Sequence, residues 1–127
     1  MQTKSRPKYI NLFILGSKMS VTAKASILHR ASGILLFLAI PLILYILHQS
    51  LISQSFYDTL YGIAAHPLVK LLYLILIWAF MYHICCGVRF LFLDVHKGVE
   101  IKTAKTTARI VIVVSIILTV LLGVIIW

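Results

Sequence analysis

Charge is scarce in this sequence, and what there is leans one way. Charged residues make up 12% of the 127 positions and hydrophobic ones 61%, where a soluble domain has about a quarter charged and about half apolar. A chain of this length has too little interior to hide so much apolar surface. A water-soluble fold is therefore excluded, and lipid, or partner helices within lipid, must cover the remainder. The chain is also too short for several domains. Cysteine is nearly absent. Cys85 and Cys86 are neighbours, so they cannot staple distant segments, and two thiols are too few for an iron–sulfur cluster. No C-x-x-C-H occurs, which excludes c-type haem attachment. No glycine-rich dinucleotide motif occurs, so flavin or nicotinamide chemistry must reside elsewhere. Period-2 patterning is missing, which argues against a β-barrel, and there is no internal repeat or low-complexity linker.

Three apolar stretches fill the space these absences leave: Ala31 to Leu47, Leu71 to Val88, and Ile110 to Trp127, each 17 or 18 residues long. A membrane-spanning helix needs about 17–25 residues at a rise of ~1.5 Å each, and snorkelling Arg or Lys extends each end by a turn. The reading is a single membrane domain over 1–127, all-α, with spans at about 23–48, 67–93 and 107–127. The first run begins after some thirty residues and is long for a signal core, so it reads as a retained anchor. Pro67 suits the first turn of the second helix. Pro41 falls inside the first span, where membrane helices tolerate a kink. The polar and aromatic stretch Gln49–His66 reads as a loop with a short surface helix.

The basic residues give the spans a direction. Lys4, Arg6, Lys8, Lys18, Lys24 and Arg30 precede the first span, and Arg89, Lys97, Lys102, Lys105 and Arg109 lie between the second and third. Only Lys70 lies in the first loop. The positive-inside rule then puts the N-terminus in the cytoplasm and the C-terminus outside. The net charge of +9 is thereby accounted for by topology. The basic residues flank hydrophobic spans and are not interleaved with an aromatic reading surface, so nucleic-acid binding is not indicated.

Polar residues within the membrane are costly and draw attention. His83 lies six residues before Arg89, about 9 Å along a helix axis. A neutral imidazole there needs partners for both nitrogens. Haem iron could serve one and a backbone carbonyl the other. Ala79 and Gly87, four residues to either side, share its helical face. They leave room for a flat macrocycle, or equally for close helix packing with His83 bonded to a neighbouring helix. A second cluster, Ser26, His29 and Arg30, sits at the inner end of the first helix. A hydroxyl beside a guanidinium at i,i+4 suits a carbonyl ligand that becomes anionic on reduction, as a quinone head group does. The alternative is ordinary: Arg30 snorkels to phosphates and Ser26 bonds the preceding turn. Cys85, Cys86, Tyr45 and Tyr82 read as packing residues, and His48, His66 and His96 as solvated residues at span ends or in loops.

These residues carry a resemblance. Ser26-Ile27-Leu28-His29-Arg30, followed by Ser32-Gly33, resembles the S-x-x-H-R-x-[ST]-G signature of the cytochrome b subunits of succinate dehydrogenase. His83, then Gly87-Val88-Arg89 and Asp94, is similar to that family's H-x-x-x-G-[IV]-R…D segment, and Arg6-Pro7 sits where the family carries an early Arg-Pro. The motif order, the three spans and the length all agree, so the resemblance covers essentially the whole chain.

The resemblance implies a helical bundle shared with a second, smaller membrane-anchor subunit. In a bacterial inner membrane that bundle would hold an iron–sulfur subunit and a flavoprotein subunit on the cytoplasmic face, with succinate oxidised on those other chains. It implies haem b, with His83 as one axial ligand and the other from the partner, and His29 and Arg30 toward the propionates. It also implies ubiquinone bound by Ser26 and Arg30, and Asp94 on a proton route. One position departs: family members often carry Arg-His where this chain has Arg89-Phe90. Two further readings stay open, the anchor of a related fumarate reductase and a purely structural anchor without haem. A small channel or holin-like protein would leave both motifs unexplained.

Overall fold

Each helix begins and ends for a local reason. A computed structural model describes residues 18–126 and contains four helices and, among those residues, no strands. Helix α1 (Val21–Ile52) starts at Ser20, whose Oγ accepts from the Ala23 amide at 3.3 Å, satisfying one of the four donors a helix start leaves open. Pro41 lies inside α1 without ending it. Ser53 is both stop and start. Its amide donates to the Gln49 carbonyl at 3.1 Å, and its Oγ accepts from the Phe56 amide at 3.2 Å to open α2 (Gln54–Ala64). On α2, Gln54 Nε2 donates to Asp58 Oδ1 at 3.0 Å across one turn.

His66 caps α3 (Pro67–Asp94): its Nδ1 accepts from the Leu68 amide at 3.3 Å, and Pro67 occupies the first turn, where a missing N–H costs nothing. The chain then reverses through His96 and Gly98, both with positive φ, 59° and 75°. Glycine holds this backbone freely, and histidine is among the residues that tolerate it. Helix α4 (Ile101–Ile126) follows.

Helices α1, α3 and α4 are long and apolar enough to cross a membrane, at 32, 28 and 26 residues. Helix α3 is central, packed along both α1 and α4. The residues between helices are small: Ala25 and Ala39 on α1, Ala79 on α3, and Ala108, Ser115 and Gly123 on α4 are all buried. Small side chains let backbones approach, which is how helices gain packing energy in lipid. Tyr82 and Cys86 fill the centre of this core with Ala25, Ala108 and Val111. Little else is covered. Within the most apolar window of each span only 11% of α1 and 17% of α3 and of α4 is buried, so lipid or other helices must meet the rest. The chain is a multi-pass membrane protein.

Candidate functional site

The polar residues of the three spans gather near the Asp94 end of α3. There Tyr82 is fully buried and its hydroxyl donates to the Ala25 carbonyl of α1 at 2.9 Å. Trp78 stacks on it at 5.4 Å, and the Cys86 thiol contacts the same carbonyl at 3.8 Å. One position on, His83 turns toward the next turn of α1. Its Nδ1 lies 3.1 Å from Ser32 Oγ and 3.2 Å from the His29 carbonyl oxygen. Ser32, itself buried, donates to that same carbonyl at 2.8 Å.

His29 and His83 meet face to face, with ring centroids 4.1 Å apart and planes 9° from parallel. Phe90 presses edge-on against His29 at 5.1 Å. This is the position where the family pattern often carries a histidine, and here an apolar ring closes that side. Nε2 of His29 is buried and has no hydrogen-bond partner among the described residues. A Cβ on Gly87 would stand 3.6 Å from it, so the glycine borders this nitrogen. Leaving such an atom unpaired costs about 1–3 kcal/mol.

His83 also lines a cleft of about 730 Å³ between α1 and α3, otherwise walled by apolar residues including Gly33, Leu36, Phe37, Ile40, Met81 and Phe80. That volume lies within the roughly 300–1,000 Å³ of cofactor and small-molecule sites. Gly33 of α1 borders the same ring: a Cβ there would stand 3.0 Å from His83 Cε1. Among the described residues no group of three or more His, Cys, Asp or Glu side chains is placed to hold a metal ion.

The structure brings His29 and His83 into contact. Ser26 is half-buried and Arg30 exposed, one turn apart on α1, and Asp94 is exposed at the last turn of α3. Arg6 and Pro7 lie outside the described residues. Two residues that entered as a motif member and as a loop cation turn out to bond across helices: Ser32 and Arg89. Arg89 is 7% exposed, with Nε donating to Thr107 Oγ1 and Nη2 to the Ala104 carbonyl, both at 3.1 Å. Helix α4 therefore supplies the partners of a buried cation. A side chain 15 to 18 residues away across a reversal leaves no periodic trace, so no sequence signal marked Thr107.

Three apolar helices, with two stacked histidines and an apolar cleft between spans, define a multi-pass membrane protein with a polar site inside its bundle. The chain belongs to the succinate dehydrogenase/fumarate reductase transmembrane subunit family, whose profile matches residues 2–122, and within it to the membrane-anchor cytochrome b subunits. It is similar to the succinate dehydrogenase cytochrome b556 subunit of Rickettsia felis, 36% identical over 107 residues, 84% of this chain and 83% of that one. It is likewise similar to the subunit of the same name from Coxiella burnetii, 35% identical over 119 residues, 93% of this chain and 95% of that one.

Proposed function

We propose that the chain holds haem b between itself and a second anchor subunit, and forms part of a ubiquinone-reduction site in a bacterial succinate dehydrogenase. The observation that carries the haem reading is the set of contacts at His83 Nδ1. A carbonyl oxygen only accepts, so the nitrogen 3.2 Å from the His29 carbonyl bears the proton. Nε2 is then the unprotonated nitrogen, the form an iron ligand requires, and the bond at Nδ1 orients the ring as metal-bound histidines are usually oriented. The cleft beside His83 has the size and apolar walls for a macrocycle. His83 would hold the haem iron from this chain, with a residue of the partner subunit as the other ligand. The orphan Nε2 of His29 is suited to a polar edge group such as a propionate, and Arg30 is exposed one residue away. Haem, when bound, supplies a one-electron redox centre.

For the quinone, Ser26 orients one carbonyl by hydrogen bonding, and Arg30 stabilises the negative charge that develops on reduction. Two electrons from the iron–sulfur subunit and two protons from the cytoplasmic side give quinol, with Asp94 placed at the exposed end of α3 to pass protons. The exposure of Arg30 supports a site completed by other chains. The excess of basic residues around the Asp94 end supports an N-terminus in the cytoplasm and a single three-span domain, with flavoprotein and iron–sulfur subunits docked on that face.

The decisive experiment is purification of the complex in mild detergent. Co-purification with a flavoprotein and a Soret band that is lost in His83→Ala is the expected result. A complex with no such band, or one whose band survives the substitution, removes the haem assignment. Arg30→Ala is expected to lower quinone reduction by tenfold or more, equivalent to at least about 1.4 kcal/mol, while dye reduction by the peripheral subunits persists. Unchanged quinone turnover in an intact complex removes the quinone assignment.

A further inference from the structure

Three groups meet at Nδ1 of His83, and counting their protons gives the third a role. The Ser32 hydroxyl has one proton, and its oxygen lies 2.8 Å from the His29 carbonyl oxygen. Two oxygens so close require a proton between them, and only the hydroxyl has one to give. With that proton committed, the serine oxygen faces Nδ1 at 3.1 Å with its lone pairs. Nδ1–H therefore has two acceptors, a serine oxygen and a carbonyl oxygen, both on one turn of α1. The alternative tautomer would set a bare nitrogen against a carbonyl oxygen 3.2 Å away, two lone pairs with nothing between them.

From this we infer that Ser32 is a positioning residue for His83, which accepts the Nδ1 proton while tying its own to the His29 carbonyl, and so sets the orientation and donor strength of the imidazole toward haem iron. The inference rests on the haem reading above and deepens it. Only a hydroxyl can give and accept in this way at once. Alanine would leave Nδ1–H to the carbonyl alone. Ser32 is 4% exposed, so bulk solvent does not reach its place. The ring has little freedom to compensate, because the Gly33 backbone lies against its Cε1 edge and the His29 ring covers a face at 4.1 Å. An acceptor on the distal nitrogen raises the basicity of a ligating histidine. A more basic ligand favours ferric over ferrous iron, so removing the acceptor raises the midpoint potential.

The test compares Ser32→Ala, Ser32→Thr and His83→Ala in the intact, detergent-purified complex, reading haem content, low-spin g-values and haem midpoint potential. The expected result is that Ser32→Ala raises the potential and moves the g-values, or loses haem, while Ser32→Thr, which keeps the hydroxyl, stays near the parent. A Ser32→Ala complex with parental potential and g-values overturns the inference and leaves the haem ligand untouched. Loss of haem in both Ser32 variants also overturns it, since the site would then be sensing volume and not the hydroxyl. Retention of haem in His83→Ala overturns the underlying ligand assignment, which separates the two failures.

Discussion

Adding one methyl group at Gly33 tests how tightly α1 holds the His83 ring. The new Cβ would stand 3.0 Å from His83 Cε1, where ordinary contact begins at 3.4 Å, so the ring must retreat by a few tenths of an ångström. It is not the loose end of a flexible chain. Its Nδ1 is held at 3.1 Å by Ser32 and at 3.2 Å by the His29 carbonyl, and one face is covered by the His29 ring. Retreat stretches at least one hydrogen bond, worth about 0.5–1.5 kcal/mol, and overpacking by a methyl costs about 1–3 kcal/mol in a close-packed site. Taking about 1–3 kcal/mol for the haem-loaded state, haem should be held about 5- to 150-fold less tightly in Gly33→Ala. Alanine is also the better helix former by about 1 kcal/mol, so the helix itself should not be weakened and the loss should be confined to the cofactor. Haem per polypeptide, measured on the purified complex during dilution, is the assay. Gly62→Ala is the control, since a Cβ there meets nothing within 4 Å. A Gly33→Ala complex that keeps full haem with an unchanged spectrum would refute the close approach and the reasoning built on it.

Other substitutions probe the contacts between helices. Thr107→Val leaves the buried Arg89 Nε without its acceptor and should cost about 1–3 kcal/mol in reversible detergent unfolding. Arg89→Met removes the charge together with its needs and should cost less than Thr107→Val, because a buried cation replaced by an apolar chain of similar size is often close to neutral; the reverse order would refute this. Tyr82→Phe removes the bond to the Ala25 carbonyl and should cost about 0.6 kcal/mol, the average for interhelical hydrogen bonds in a membrane. At Gly123 a Cβ would lie 2.8 Å from Leu74 Cδ2. That leucine tip can rotate away from alanine but not from a branched chain, so Gly123→Ile should destabilise α3–α4 packing clearly more than Gly123→Ala in the same unfolding assay.

The spans were legible because lipid imposes a length and a composition that no tertiary contact overrides. Ala31–Leu47, Leu71–Val88 and the run from Ile110 can only be helices, since each backbone polar group in hydrocarbon must be paired within its own segment. The short helix in the first loop was legible from its polar and aromatic content. What stayed hidden is what depends on which turn of one helix faces which turn of another. Ser32 and His83 are 51 residues apart, and His29 and His83 are 54 apart; they meet where α1 packs on α3, and sequence shows the buried Ala25 and Ala79 of those helices only as small residues. Arg89 was counted with the loop cations, yet its head group turns inward onto Thr107 and Ala104. A long side chain at a span end can snorkel outward or fold back, and only the neighbouring helix decides which.

The hydrogen bonds described between spans leave α3 from the stretch Tyr82–Arg89, reaching α1 on one side and α4 on the other. Directional bonds of this kind hold two helices in register, since a slide of one residue, about 1.5 Å, would break them. Toward the other end the cleft between α1 and α3 is walled by Ile40, Ile43, Ile77 and Phe80, and apolar surfaces of this kind slide and part without losing specific bonds. The contact between α1 and α3 is thus pinned by directional bonds around His83, while the cleft beside it is bounded by apolar contacts. Changes in bilayer thickness, which spans meet by tilting, should alter the width of that cleft while the register of His29, Ser32 and His83 stays fixed.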